Sequence, residues 1–330
     1  MRNALCALPC RCFYWITPLI VRIERYSMPL PNEIIRDFEI STDERVRVFR
    51  RTLHGLKEFE GMEVDAYVVI TDRHVIVLDT MLCPEDVSII MQSVNNELRG
   101  RSLLCIDSHA DWDHAWGNCY FTGEHSAPII AHDHCLIRMQ STEAYNELLA
   151  FQQLSSTFKN VFLVPPTFTF NQHFAIHDSS LTIDLLHAPG HHLDQIVAWI
   201  PELRLLLAFD AVEYPLPLIE GADCVPHMFT TLEHLIALQP LRVLCSHGKT
   251  TTPDQVKQNL AYIREIERRC KSVLQKRQLE PEELVHFSEL INYSFDEVVD
   301  KTTGSIDRTF YTQAHENNCQ AIMNWLMNMP

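Results

Sequence analysis

Four times along this chain an apolar, strand-like run stops abruptly at a histidine or an aspartate. Leu103 to Ile106 runs into Asp107-Ser108-His109-Ala110-Asp111-Trp112-Asp113-His114, and Leu181 to Leu186 leads to Ala188-Pro189-Gly190-His191. Arg204 to Phe209 ends in Asp210, and Leu241 to Cys245 runs into Ser246-His247-Gly248. Strands that end at a common sheet edge can aim such side chains at one point, and Gly190 and Gly248 permit the sharp turns that present them. Taken alone, the first segment describes a polar surface loop as well as it describes a ligand cluster. Four such ends together predict a fold that gathers distant strand ends around a shared metal site.

Composition narrows the classes. The chain has 330 residues, 46% hydrophobic and 21% charged, with only 9 Gly, which fits a soluble globular protein and excludes fibrous and low-complexity classes. Its formal charge of −16 repels phosphate backbones, so nucleic acid is a poor substrate candidate. The 11 Cys show no repeating pair spacing, which suits a reducing cytoplasmic setting better than secretion. The 17 His are the larger anomaly, because imidazole is the commonest metal ligand.

Residues 1–27 read as an N-terminal extension outside the fold. Their apolar run from Phe13 to Val21 is broken by Pro18 and too short to span a bilayer, and no signal cleavage site follows. Met28 opens the main domain, residues 28–252. Within it, Ala66 to Ile70 and Val75 to Leu78 predict a hairpin around Thr71-Asp72-Arg73-His74. Pro84 begins a helix whose stripe is Val87, Ile90, Met91, Val94 and Leu98, closed by Gly100. Further strands are expected at 128–131 and 195–200, and one helix from His134 to about Phe151. Residues 253–330 read as a helical C-terminal portion: Thr252-Pro253-Asp254-Gln255 has the form of a capping box, and Val256, Leu260, Ile263, Cys270 and Val273 form a stripe. The cations of that helix, from Lys257 to Arg277, read as a solvated face interspersed with Glu265 and Glu267.

The order His-x-Asp-x-Asp-His, Pro-Gly-His, strand-terminal Asp and His-Gly resembles the metallo-β-lactamase-fold hydrolase superfamily over roughly residues 60–250, with Leu78-Asp79-Thr80 similar to its early strand end. The resemblance implies an α+β fold, a four-layer αββα sandwich with a two-metal cleft at one edge. Carried over position by position, it implies that His109, Asp111 and His191 hold one divalent metal ion, that Asp113, His114 and His247 hold a second, and that Asp210 bridges them. The family usually has His where this chain has Asp111. Zinc is the family's usual metal, and the harder carboxylate shifts preference toward iron or manganese.

The implied reaction is attack by a metal-bridging hydroxide, with Asp113 ligating and orienting it. Asp79 and Asp107 are expected to fix His tautomers. Tyr214 is a candidate for stabilising an oxyanion, with Pro215 to Ile219 lining a pocket. His187 is weighed as a cleft base against a structural role, and Lys249 as a partner for an anionic substrate group against an ordinary exposed lysine. Trp112 and Trp116 are expected to build an apolar wall, His132 and His134 to supply hydrogen bonds or a helix start, and His192 and Asp194 to orient their loop.

The leading function is therefore a metal-dependent hydrolase of a small ester, thioester or lactone. The alternatives are a di-iron redox enzyme, suggested by Asp111, a nuclease or phosphodiesterase of the same superfamily, and a sensor without chemistry. The expected partner is a small molecule, not nucleic acid or membrane, and the resemblance allows the helical extension to serve as a homodimer contact.

Overall fold

A computed structural model describes residues 34–37, 40–41, 43–248, 251–276, 279, 285–299 and 306–329. The expectations for residues 1–27 and for Lys249 lie outside them. Among the described residues, twelve strands form two sheets. The first has the order β1 (Ile34–Asp37), β2 (Val46–Thr52), β3 (Glu63–Ile70), β4 (His74–Leu78), β5 (Ser102–Ile106), β6 (Ile129–His132), β7 (Phe168–Phe170). The second has the order β12 (Arg242–Cys245), β11 (Leu205–Phe209), β10 (Ile196–Ile200), β9 (Thr182–His187), β8 (His173–His177).

Near-continuous apolar runs make the central strands, β4, β10 and β11, because both faces are covered there. Alternation then sorts the side chains by layer. Tyr67, Val69, Ile76 and Leu78 of the first sheet meet Ile183, Leu185, Ile196, Ala198, Leu207 and Phe209 of the second. The alternate residues Val64, Ala66, Val68, Val75 and Val77 face outward, onto Val87, Ile90 and Val94 of α1 (Pro84–Val94). On the far side, Leu206, Ala208 and Val243 pack with α4 (Val225–Ala237), α5 (Asp254–Leu274) and α8 (Arg308–Met327). The result is the αββα sandwich, with the C-terminal helices continuing its outer layer.

Most expected elements stand where the pattern places them, including the hairpin of β3 and β4, α1 with Pro84 in its first turn, and Gly100 at φ 75° beyond it. One differs. The single helix expected from His134 to Phe151 is two, α2 (Asp133–Met139) and α3 (Thr142–Leu154), because Ser141 leaves the helix and its hydroxyl accepts from Ala144 N at 3.1 Å. At the start of α5, Gln255 Nε2 donates to the carbonyls of Glu213 (3.0 Å) and Pro215 (3.3 Å), tying the helix to the loop after β11. Between them and the end of the chain lie the short helices α6 (Phe287–Leu290) and α7 (Phe295–Val298). The α5 cations pair locally, Arg268 and Arg269 with Glu265 and Lys271 with Glu267, as a solvated face does. No described helix is long and apolar enough to cross a membrane.

Strand direction positions the site. β4 and β5 are parallel, as are β11 and β12, and β9 and β11 both run antiparallel to β10. The chain ends of β5, β9, β11 and β12 therefore emerge at one edge of the sandwich. At the opposite edge, Asp178 locks the two sheets together, accepting from Thr71 Oγ1 (2.5 Å), Arg73 N (2.9 Å) and Ser179 N (2.7 Å). Burial works against this carboxylate, but those donors hold its pKa well below the usual range. A depressed pKa contributes stability above the unfolded-state value of about 3.9 and loses it as pH falls through the folded value. Asp178→Asn should lower the melting temperature by a few degrees at pH 7. Thermal scans of both proteins should show that gap closing as the solution is acidified below about pH 4; a gap independent of pH would refute the assignment.

Candidate metal centre

The loop after β5 carries His109, Asp111, Asp113 and His114, and it is pinned from three sides. Thr80 N donates to His114 O (2.6 Å), Ile196 N donates to Ser108 O (2.9 Å), and Gly117 N donates to Met81 O (3.2 Å). Gly117 is required here, since a Cβ at that position would lie 1.9 Å from Thr80 O. Asp210 follows β11 at a register shift between Leu207 and Phe209, where Phe209 takes a positive φ of 48°. That conformation is costly for a bulky residue, and with Asp79 (φ 65°) and Met81 (φ 55°) it concentrates backbone strain beside the site.

The four histidines present Nε2 to a common centre. Asp210 Oδ2 lies 3.2 Å from His114 and His247 Nε2, 3.7 Å from His109 Nε2 and 3.8 Å from His191 Nε2. Asp111 Oδ2 is 3.3 Å from His109 and 3.4 Å from His191, while Asp113 Oδ2 is 3.6 Å from His114 and 3.4 Å from His247. The donors thus form three clusters, His109/Asp111/His191, Asp113/His114/His247 and, joining them, His109/His114/Asp210. All seven residues singled out in the sequence come together.

Tautomers are fixed from behind. Glu63 O accepts from His247 Nδ1 (2.8 Å), Leu218 O from His191 Nδ1 (3.1 Å) and Asp79 Oδ2 from His114 Nδ1 (2.8 Å). His109 Nδ1 lies 2.9 Å from Ser108 Oγ, which donates to Asp79 Oδ2 at 2.8 Å, so one carboxylate governs two imidazoles. In the neutral ring, each Nε2 then turns its lone pair toward the centre. Asp107, expected to do the same, instead accepts from Asn118 Nδ2 at 2.8 Å, because it points under the loop rather than toward the rings.

These donors fit divalent cations. His109 Nε2, His114 Nε2 and Asp210 Oδ1 are buried with no hydrogen-bond partner, and imidazole nitrogen with carboxylate oxygen is the donor set of zinc, iron and manganese sites. Charge points the same way. Burial opposes ionisation, yet the carboxylates prevail: Asp210 and Asp113 push His114 well up, and His191 and His247 rise to about 9 and about 10. Burial would raise the Asp111 carboxyl, but His192, Arg138 and His109 hold it well below its ordinary value. The pocket demands positive charge.

The centre opens into a cleft of about 200 Å³, lined by the apolar Phe59, Met62, Trp112, Leu218 and Phe310 and by the charged Arg138, Glu147, Glu213 and Glu220. Trp112 packs against Phe59 and Phe151, with ring centroids 4.9 Å from each, and Trp116 packs on Phe151 and Phe158, so both tryptophans build the apolar wall. Tyr214 is placed otherwise than expected. It is not among the cleft residues but packs on Gly248, whose φ of 81° and 2.6 Å approach of a virtual Cβ to Tyr214 O leave room only for glycine. Its neighbour Glu213 faces the cleft instead, accepting from Leu218 N (3.1 Å) and from Tyr311 Oη on α8 (3.3 Å), and burial and Asp210 push its carboxyl up to about 7.

His187 stacks on His132 at 3.8 Å and bonds Leu193 O, a structural role, and His132 Nδ1 accepts from His134 N to start α2. Asp194, expected to orient its own loop, instead accepts from Ala110 N at 2.9 Å in the loop after β5, while His192 lies at Asp111. Sequence reasoning missed Arg138, Glu213 and Phe310. Arg138 sat within a predicted helix and Phe310 far along the chain, and neither belongs to a motif; Glu213, three residues after Asp210, was the one within reach.

A four-layer αββα sandwich with histidines and aspartates gathered at one strand edge defines the class as a metal-site protein of the metallo-β-lactamase fold. The chain belongs to the metallo-beta-lactamase superfamily, whose model matches residues 60–247. No curated protein matches it. Among solved structures it is similar to a metallo-beta-lactamase from Pontibacter korlensis, with 15% identity, a TM-score of 0.53, and coverage of 69% of this chain and 98% of that one. It is similar to a metallo-beta-lactamase family protein from Thermus thermophilus, with 15% identity, a TM-score of 0.56 and coverage of 80% and 88%. It is also similar to the metallo-beta-lactamase FIM-1 from Pseudomonas aeruginosa in its mono-zinc form, with 14% identity, a TM-score of 0.51 and coverage of 70% and 96%.

Because Asp79 sets both His109 and His114, Asp79→Asn should weaken zinc binding about 10- to 100-fold in competition with a chromophoric chelator. Unchanged affinity would mean that the ring orientations are set elsewhere.

Proposed function

We propose that this protein is a binuclear metal-dependent hydrolase that cleaves a small ester, thioester or lactone. The observation that carries the reading is the pair of donor sets sharing Asp210 at the mouth of a half-apolar cleft. His109, Asp111 and His191 would hold one cation and Asp113, His114 and His247 a second, with Asp210 between them. When bound, such cations supply Lewis acidity that ionises water near neutral pH and polarises a carbonyl.

The chain's own residues do the rest. Asp113 Oδ2, facing His114 and His247, orients the attacking water and accepts its proton. Phe59, Met62, Trp112 and Phe310 exclude bulk water and hold the apolar part of the substrate. A cleft of about 200 Å³ suits a small acyl group. Asp111, Asp113, Asp210, Glu147, Glu213 and Glu220 face it, and Arg138 is the one lysine or arginine among the described lining residues, which disfavours a polyanionic backbone as substrate. A di-iron redox centre is the second reading, and Asp111 is the observation behind it; iron content and oxygen uptake separate the two.

A panel of esters, thioesters, lactones, β-lactams and phosphodiesters, assayed with zinc, iron and manganese, tests the proposal. Turnover of one of the first three groups is expected. Asp113→Ala should lower it by at least about a hundredfold while circular dichroism is unchanged. Metal-loaded protein inert toward the whole panel would overturn it.

A further inference from the structure

Asp111 uses its two oxygens differently. Oδ2 faces the centre, 3.3 Å from His109 Nε2 and 3.4 Å from His191 Nε2. Oδ1 is turned the other way: it accepts a short hydrogen bond from Arg138 Nη2 and lies 3.2 Å from His192 Nε2. Arg138 is anchored in turn, since its Nη1 donates to Asp194 Oδ1 at 2.9 Å, and the second oxygen of Asp194 accepts from Ala110 N at 2.9 Å, between His109 and Asp111. One guanidinium on α2 thereby holds the side chain of Asp111 and, through Asp194, the backbone beside it.

The consequence is chemical. A free carboxylate offers two oxygens and a full negative charge, which favours hard cations of high coordination number. With Oδ1 held and its charge balanced by a cation that stays protonated at any ordinary pH, Asp111 has a single donor atom to give, much as a neutral imidazole does. His109, Asp111 and His191 then supply three single donors, the number a catalytic zinc site takes from its protein, with Asp210 shared and a position left for water. We propose that Arg138 is a positioning residue that makes Asp111 a one-oxygen, charge-compensated ligand and so biases the His109–Asp111–His191 set toward zinc over manganese. The inference rests on the reading of that set as a cation site.

The test is the ratio of zinc to manganese affinity, measured on the full-length protein by chelator competition for zinc and by the electron paramagnetic resonance signal of free manganese. Arg138→Gln should shift the ratio toward manganese by about tenfold or more, whereas general loosening of the loop would weaken both metals alike. In an Asp111→His background the same substitution should leave the ratio alone, because no carboxylate remains to be released. Arg138→Lys, which keeps a charge but cannot grip Asp111 and Asp194 together, should shift it in the same direction and serves if the glutamine variant does not fold. A ratio within about twofold of wild type in folded Arg138 variants, or an equal shift in the Asp111→His background, would overturn the proposal while leaving the hydrolase reading intact. Wild-type protein that binds neither metal would remove both.

Discussion

Three carboxylates, Asp111, Asp113 and Asp210, stand together at a site largely shut off from water, and that concentration of negative charge governs the rest of the structure. Burying even one unpaired carboxylate is expensive, so the site must gather positive partners. Five imidazoles, counting His192, and one guanidinium surround the trio; His114, His191 and His247 are driven toward their charged form, while burial and the neighbouring His114 push His109 the other way. A cleft arranged in this way is built for cations. The apolar wall of Phe59, Trp112 and Phe310 strengthens the effect by keeping the dielectric low.

The sandwich is what makes that gathering affordable. Its two sheets share a dry core in which Tyr67, Leu78, Leu185 and Phe209 interlock, and the directions of β5, β9, β11 and β12 bring their ends to one edge. Strain at Asp79, Met81 and Phe209 sits beside the ligands and is tolerated because backbone hydrogen bonds from Thr80, Gly117 and Ile196 over-determine the loops. The C-terminal helices join the same scaffold. Through Phe310 and the Tyr311–Glu213 contact, α8 closes one side of the cleft, so residues about a hundred positions after Asp210 shape what reaches it.

Much of this is legible in the sequence because the ligands follow their strands directly. A run such as Leu103 to Ile106 announces a buried strand, and the polar cluster after it has nowhere to go but the sheet edge. The helix stripe of Val87, Ile90 and Val94 is equally plain, since it repeats with the turn of the helix. Tyr214 shows where such reasoning stops. Distance from Asp210 along the chain suggested a cleft position, but the turn after β11 sends Glu213 inward and Tyr214 onto Gly248. The break between α2 and α3 at Ser141 was hidden for a related reason, because both halves keep a helical pattern across a single capping residue.

The sequence by itself marked the strand ends and the seven candidate ligands, because these depend on short-range pattern: apolar runs, turn glycines and closely spaced donors; the fold family followed from the resemblance those motifs carry. Only the tertiary structure decided which groups stand behind and beside those ligands. Asp79 joins His114 to Ser108, Arg138 reaches Asp111 across 27 residues, and Phe310 comes from the far end of the chain. Such contacts depend on where helices settle on a sheet, which is set by packing summed over the whole core rather than by any local signature.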